Sequence, residues 1–291
     1  MRNSQAYSEP QSEIVRLFVE RCGVAPAQGS PEQAMTELVE RTAPRKHVRS
    51  QGQRVQCFLD ARKVVSVEFV PDAGYDGMIE PIGSTFSEGF RMRLKTSASD
   101  VRARFTVAHE ACHTFFYELA PEVKFHPHEE DDHEESLCNF GAAVLLIPAA
   151  SLCARTRKLT ICLDSLEQLA QEYAVSLPTM LLRLRSLGLW KCQLSLWHRT
   201  ASGEFVLDRL YGGRNVEWKW QDASVLERAW ESNESVFETG FVYAEGRGGT
   251  KAYKPISYHV QRSGLGVTVL WGKGIRPTVS TYPLFKIAQA A

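Results

Sequence analysis

Apolar and polar positions alternate along the chain in a way that separates helical from extended stretches. Two short amphipathic helices are expected around residues 11–21 and 31–41, the second opening with Pro31 just after Gly29-Ser30, where a first turn tolerates proline. From about 54 to 95 the pattern turns strand-like, with VQCFLD, VVSVEFV and FRMRLKT separated by turn residues such as Asp72, Gly74, Gly77 and Gly83. Residues 97–120 read as a long helix. Ser99 or Asp100 can cap it, apolar residues recur at helical spacing through Phe105, Ala108, Cys112, Phe115 and Phe116, and Pro121 ends it. A His- and acid-rich connection, PEVKFHPHEEDDH, leads to a further helix over residues 134–147, stopped by Pro148.

Residues 165–187 predict two short helices around Ala174-Val175-Ser176, with Ser176 capping the second and Leu177, Met180, Leu181, Leu184 and Leu187 as its buried stripe. The rest is strand-like, through QLSLW, EFVLDRLY, SVFETGFVY, KPISYHV and LGVTVLW, with one helix over residues 223–233 between them. The fold class is therefore α+β. Trp197, Trp218, Trp220 and Trp271 are read as core of the last region rather than as the lining of a pocket. The Gly-rich residues 246–250 are no phosphate-binding loop, because no GK[ST] follows them.

Composition narrows the function classes. The 34 basic residues are matched by 34 acidic ones, so the chain has no bulk electrostatic attraction to nucleic acid or to anionic membranes. At 291 residues it has room for two or three domains. No apolar run approaches the roughly 20 residues that span a bilayer, and MRNSQAYSEPQSEIV lacks the apolar stretch of a secretion signal, so a cytoplasmic location is expected. The seven cysteines, Cys22, Cys57, Cys112, Cys138, Cys153, Cys162 and Cys192, form no CxxC pair and are read as free thiols.

The chemistry is concentrated in His109-Glu110-Ala111-Cys112-His113, an HExxH sequence within the long helix. Two histidines four apart lie one turn and about 40° apart, so both imidazoles reach one zinc at ~2.0–2.1 Å. Glu110 then stands beside the metal, able to take a proton from the attacking water and pass it to the leaving amine while zinc polarises the carbonyl. A His₂-carboxylate set also accepts manganese or cobalt.

A third protein ligand is needed. The extended pattern HExxHxxGxxH is excluded, because Phe116 and Leu119 stand where it needs Gly and His. A carboxylate from the next helix is the usual remaining choice, and that helix opens with Glu134 and Glu135. Glu135 is favoured, since Cys138, Asn139 and Ala142 follow it on one face, whereas Glu134 points about 100° away. Acids at this position would also suit the helix dipole alone. Asn139 offers a hydrogen bond to a ligand or substrate backbone, and Tyr117, two turns beyond His109, a donor to a tetrahedral oxyanion. His126, His128 and His133 are read as solvated loop.

The run Arg104-Phe105-Thr106-Val107-Ala108-His109-Glu110-Ala111-Cys112-His113 resembles the RFTxAHExxH signature of the ImmA/IrrE metallopeptidases. Residues 135–148, ESLCNFGAAVLLIP, are similar to that family's ExxAN…AAxLLMP segment, whose first glutamate is the third zinc ligand. Cys112 stands for the usual glycine, Cys138 for the usual alanine and Gly141 for the usual phenylalanine; none is a proposed ligand. The resemblance implies a zincin-like peptidase domain over 1–150, a helix-turn-helix-like helical segment over 151–190 and a GAF-like sensor domain over 191–291. Its implied site is Glu110 as the catalytic base, with His109, His113 and Glu135 on Zn²⁺. The implied substrate is a helix-turn-helix repressor, whose cleavage derepresses stress-response, DNA-repair or mobile-element genes.

The helix pair invites a DNA-binding reading, but only Arg183 and Arg185 are basic within its second helix, which argues against direct DNA contact and for a structural or substrate-docking role. The C-terminal domain has the strands, helix, strands order of a fold that encloses a small-molecule or signal ligand. The rival reading is a transcriptional regulator or sensor whose peptidase fold serves as a binding module. The complete ligand set with Glu110 favours the enzyme.

Overall fold

A computed structural model of the chain describes residues 13–22, 30–43, 50–71, 73–83, 86–96, 99–119, 132–212, 224–232, 235–245, 251–264 and 266–276. His126, His128, Trp218, Trp220, Asp72, Pro121 and the Gly-rich residues 246–250 lie outside them. The fold is α+β, and the chain divides into two compact units, residues 1–148 and 149–291. Among the described residues no single helix is long and apolar enough to cross a membrane.

The first unit runs α1 (Glu13–Arg21), α2 (Pro31–Thr42), α3 (Gln51–Ala61), β1 (Val64–Val70), β2 (Gly77–Pro81), β3 (Phe90–Lys95), α4 (Asp100–Tyr117) and α5 (Asp132–Leu146). The segment VQCFLD is not a strand, because it falls inside α3. Ser50 caps that helix by accepting from the Gln53 N–H, and Val55, Phe58 and Leu59 are buried at i, i+3 and i+4, a spacing that six residues viewed alone disguise. The strand β2 was hidden in sequence because a glycine opens it and a proline closes it. Its edge position accounts for the proline: the sheet order is β1-β3-β2, with β3 parallel to β1 and antiparallel to β2.

The helix α4 is the core element of this unit. Ser99 caps it, accepting from the Arg102 N–H, and from Thr106 to Tyr117 only Val107 and His109 escape full burial. Phe116 stacks on Phe18 with ring centroids 4.8 Å apart, and Phe115 meets Phe58 edge-on at 5.9 Å. Phe90, Met92 and Leu94 of β3 are buried on the α4 side of the sheet, while Arg91 and Arg93 on the other face reach Glu68 and Glu80. Against α4 lies α5, which approaches closely at Gly141. A Cβ there would fall 2.8 Å from Cys112 Sγ and 2.9 Å from Met35 Sδ.

The second unit holds α6 (Ala149–Thr156), α7 (Leu163–Tyr173), α8 (Leu177–Ser186), β4 (Cys192–Arg199), β5 (Phe205–Tyr211), α9 (Ser224–Ser232), β6 (Val236–Glu245), β7 (Lys251–Ser263) and β8 (Gly266–Gly272). Its five-stranded sheet has the order β5-β4-β8-β7-β6, and every pairing is antiparallel. Tyr258, Val260, Val267, Val269 and Trp271 pack with Val225, Leu226 and Ala229 of α9. The alternate residues point to the other face, where His259 meets the start of α7 and where α8 packs near β4 and β5. Helices therefore cover both faces, and β8 reads GVTVLWG because it is buried on both sides. Trp271 is core and Trp197 is half-buried against it.

The helix pair expected at 165–187 forms, with Ser176 capping α8 and Met180, Leu181 and Leu184 fully buried; Leu177 and Leu187 are only half-buried. Its two arginines are consumed internally: Arg183 is 3% exposed, and Arg185 Nη1 donates to the Cys192 carbonyl at 2.5 Å. Helix α6 has no counterpart in the sequence reading. Ser151 and Tyr173 share a 2.6 Å hydrogen bond, and Arg155 pairs with Glu172, which together tie α6 to α7.

His259 provides a pH test of this unit. Its Nδ1 accepts from the Leu163 N–H at 3.0 Å, one of the amides that a helix start leaves without a partner, so the ring is neutral in the folded chain. Burial lowers its pKa from 6.5, against an opposing effect of Asp164. As pH falls through about 6.5 the unfolded chain takes up a proton that the folded unit resists, so stability present above that pH is lost on acidification. In urea denaturation of the full chain, the stability change from pH 7.5 to 5.5 should be less favourable in wild type than in His259→Asn, which keeps an acceptor without a titrating ring; equal changes would remove His259 as the cause.

Candidate metal centre

The first turn of α5 meets α4 beside its two histidines. His109 and His113, one turn apart, present their Nε2 atoms to each other at 3.1 Å. Glu135 reaches both, with Oε2 3.2 Å from His109 Nε2 and Oε1 3.3 Å from His113 Nε2. Two imidazole nitrogens this close repel through their lone pairs unless a proton or a cation lies between them. Three donors at ~2.0–2.1 Å from a tetrahedral zinc stand about 3.3 Å from one another, so this triangle has the dimensions of a His₂Glu metal site. The donor set fits zinc, and Glu135, half-exposed, lies on the open side.

Glu110 lies between these histidines in sequence and is buried against β2. The contact explains Gly77: a Cβ there would fall 2.3 Å from Thr106 Cγ2 and 2.9 Å from both Cγ and Oε1 of Glu110. Close approach of the strand to the carboxylate thus requires a residue without a side chain.

Several sequence expectations change here. Glu134 does not point away: it is 2% exposed, and His113 Nδ1 donates to its Oε1 at 2.6 Å. Tyr117 is buried and its hydroxyl donates to the Ile79 carbonyl of β2 at 2.8 Å, so it serves the scaffold and not an oxyanion. Asn139 is exposed, and His133 is half-buried in the first turn of α5. Burial pushes the Cys138 thiol up to about 11 and the Cys112 thiol well above its usual value, so neither is a reactive thiolate at neutral pH.

Residues 79–185 match the IrrE N-terminal-like domain of the Peptidase_M78 family. This stretch of the chain is similar to that domain. The match begins in β2 and reaches α8, so it includes His109, His113, Glu110, Glu134 and Glu135. No curated protein matches the chain. Among solved structures, a Mycobacterium tuberculosis transcriptional regulator shares the fold at 13% identity and a TM-score of 0.50, over 89% of this chain and 79% of that one.

The electrostatics of the IrrE-like site couple metal to proton. Hydrogen bonds from His109 and His113 hold the Glu135 carboxyl far below the usual carboxylate range. Burial disfavours charge on His113, but Cys138, Glu134 and Glu135 outweigh it and raise its pKa well above 6.5. A proton held on His113 Nε2 would have to leave before a metal could bind there. Zinc affinity measured by chelator competition should rise steadily from pH 6 to pH 8. A flat profile would show that His113 is already neutral.

Proposed function

We propose that the chain is a zinc-dependent endopeptidase that cleaves a regulatory protein, a helix-turn-helix repressor, and so derepresses stress-response, DNA-repair or mobile-element genes. The observation that carries the reading is the convergence of His109 Nε2, His113 Nε2 and a Glu135 carboxylate oxygen within 3.1–3.3 Å, with Glu110 on the same helix. His109, His113 and Glu135 would hold the ion, and manganese or cobalt would fit the same donors. When bound, the metal supplies a Lewis acid that polarises the scissile carbonyl.

The remaining chemistry belongs to the chain. Glu110, held against β2, takes a proton from the attacking water and delivers it to the leaving amine. An extended substrate segment would lie along β2, an edge strand beside α4. Seven free thiols fit a reducing compartment such as the cytoplasm. For residues 191–291, the succession of strands, helix and strands supports a GAF-like domain that takes a small-molecule signal.

The test is incubation of the zinc-loaded chain with helix-turn-helix regulators encoded beside it. Wild type should cleave one of them, and Glu110→Gln should lower the rate by ~10²–10⁴ at unchanged zinc affinity. Absence of cleavage by wild type across several such regulators would sink the proposal, and equal cleavage by Glu110→Gln would remove Glu110 as the base.

Gly77→Ala offers a separate check on β2. Displacing Glu110 by a fraction of an ångström should cost about tenfold or more in kcat while leaving the zinc titration as in wild type. Unchanged kcat would show that the strand does not position the glutamate.

A further inference from the structure

We propose that Glu134 is the positioning residue of the metal centre: its buried carboxylate fixes His113 in the tautomer and orientation that turn Nε2 toward His109 and Glu135. The inference rests on the metal-site reading above and concerns a residue outside the ligand set. Four observations carry it.

The contact between His113 Nδ1 and Glu134 Oε1 is 2.6 Å, the length of a charge-assisted hydrogen bond. With Nδ1 committed as the donor, Nε2 is the nitrogen that can give up its proton to a metal, and it is Nε2 that lies 3.1 Å from His109 and 3.3 Å from Glu135. Consecutive glutamates in the first turn of α5 thus hold opposite nitrogens of one imidazole.

Burial separates Glu134 from an acid placed only for the helix dipole. Asp132, Glu135 and Ser136 in the same turn are exposed, while Glu134 is drawn in to 2% exposure. Removing a carboxylate from water is costly, and a dipole contribution is available equally to an exposed side chain. The inward placement is spent on the imidazole.

His109 supplies the contrast. Its Nδ1 is buried and has no hydrogen-bond partner among the described residues. Metal-ligating imidazoles generally donate their second nitrogen to a carboxylate, a carbonyl or water, and here a described carboxylate does this for His113. Orientation of the donor triangle therefore depends on the Glu134–His113 pair more than on His109.

The group on this side of the ring is closed. Glu134, His113 and Cys138 bring their polar atoms within 4.8 Å of one another, and all three are buried. A neutral thiol is a poor acceptor, so Cys138 does not replace the carboxylate if Glu134 is removed.

The experiment uses the full chain stripped of metal, as wild type, Glu134→Gln and Glu134→Ala. Zinc affinity is read by competition with a chromophoric chelator, the ligand field by the visible spectrum of the cobalt form, and folding by the melting temperature without metal. Both variants should bind zinc ~10–100-fold more weakly than wild type and give an altered cobalt spectrum, with Glu134→Gln melting like wild type when metal-free. Wild-type zinc affinity and cobalt spectrum in Glu134→Gln would overturn the inference. So would a lower metal-free melting temperature in Glu134→Gln with unchanged affinity, since that is a structural role only. Glu134→Gln decides if Glu134→Ala does not fold. Failure of wild type itself to bind zinc would remove the metal-site reading and this inference with it, an outcome distinct from equal binding by all three chains.

Discussion

The constraint on which the first unit depends is that α4 carries polar side chains through the core. Thr106 to Tyr117 is buried apart from Val107 and His109, so each polar group on that stretch must find a partner or leave a costly orphan. The partners are the elements of the site. His113 draws in Glu134 and with it the start of α5; Tyr117 bonds the Ile79 carbonyl and fixes β2; Thr114 accepts from Arg62 Nε at 2.8 Å, and the Arg62 guanidinium also lies 4.2 Å above the Phe115 ring. At the far end of α5, Arg54 Nε donates to the Leu145 carbonyl, where a cation suits the helix dipole. Polar satisfaction in the core and assembly of the candidate metal site are one requirement.

Much of this was legible in sequence, because spacing on a helix is a strict geometric rule. The i, i+4 histidines, the exclusion of residues 116 and 119, and the choice of Glu135 all follow from it, and the C-terminal strands followed from runs of aromatic and β-branched residues. Glu134 was misjudged because a helical wheel describes one helix in isolation. At a helix end that meets its neighbour end-on, residues 100° apart can bracket a single ring. Gly77 was read as turn chemistry, since nothing in its neighbourhood states that a strand must pass against the carboxylate of residue 110. The segment VQCFLD failed for a simpler reason: six residues contain too few turns to separate the two periods.

Two departures from the pattern that the chain resembles meet at one contact. That pattern has glycine where Cys112 stands and phenylalanine where Gly141 stands. Here Cys112 Sγ and Met35 Sδ occupy the space a Cβ at Gly141 would need. Close-packed interiors resist added volume, so a side chain at residue 141 would have to displace one of these two sulfurs. The thiol that results is a packing group. Full burial raises its pKa and closes it to solvent, which removes the feature a redox-sensing cysteine needs.

The second unit shows why a helix-turn-helix pattern is not sufficient for DNA recognition. A reader needs one helix with an apolar stripe for its own domain and an opposite face supplied with cations for phosphates. The stripe is present in α8, but the helix lies over a sheet, and its arginines complete that packing. Arg183 is buried and Arg185 bonds the backbone at Cys192. The exposed positions of the pair are Gln168, Gln171, Glu172, Ser176, Leu182 and Ser186, and none is a cation. With no exposed cation on this helix pair and a formal net charge of +0 over the chain, the pair lacks the cationic face that phosphate contacts use.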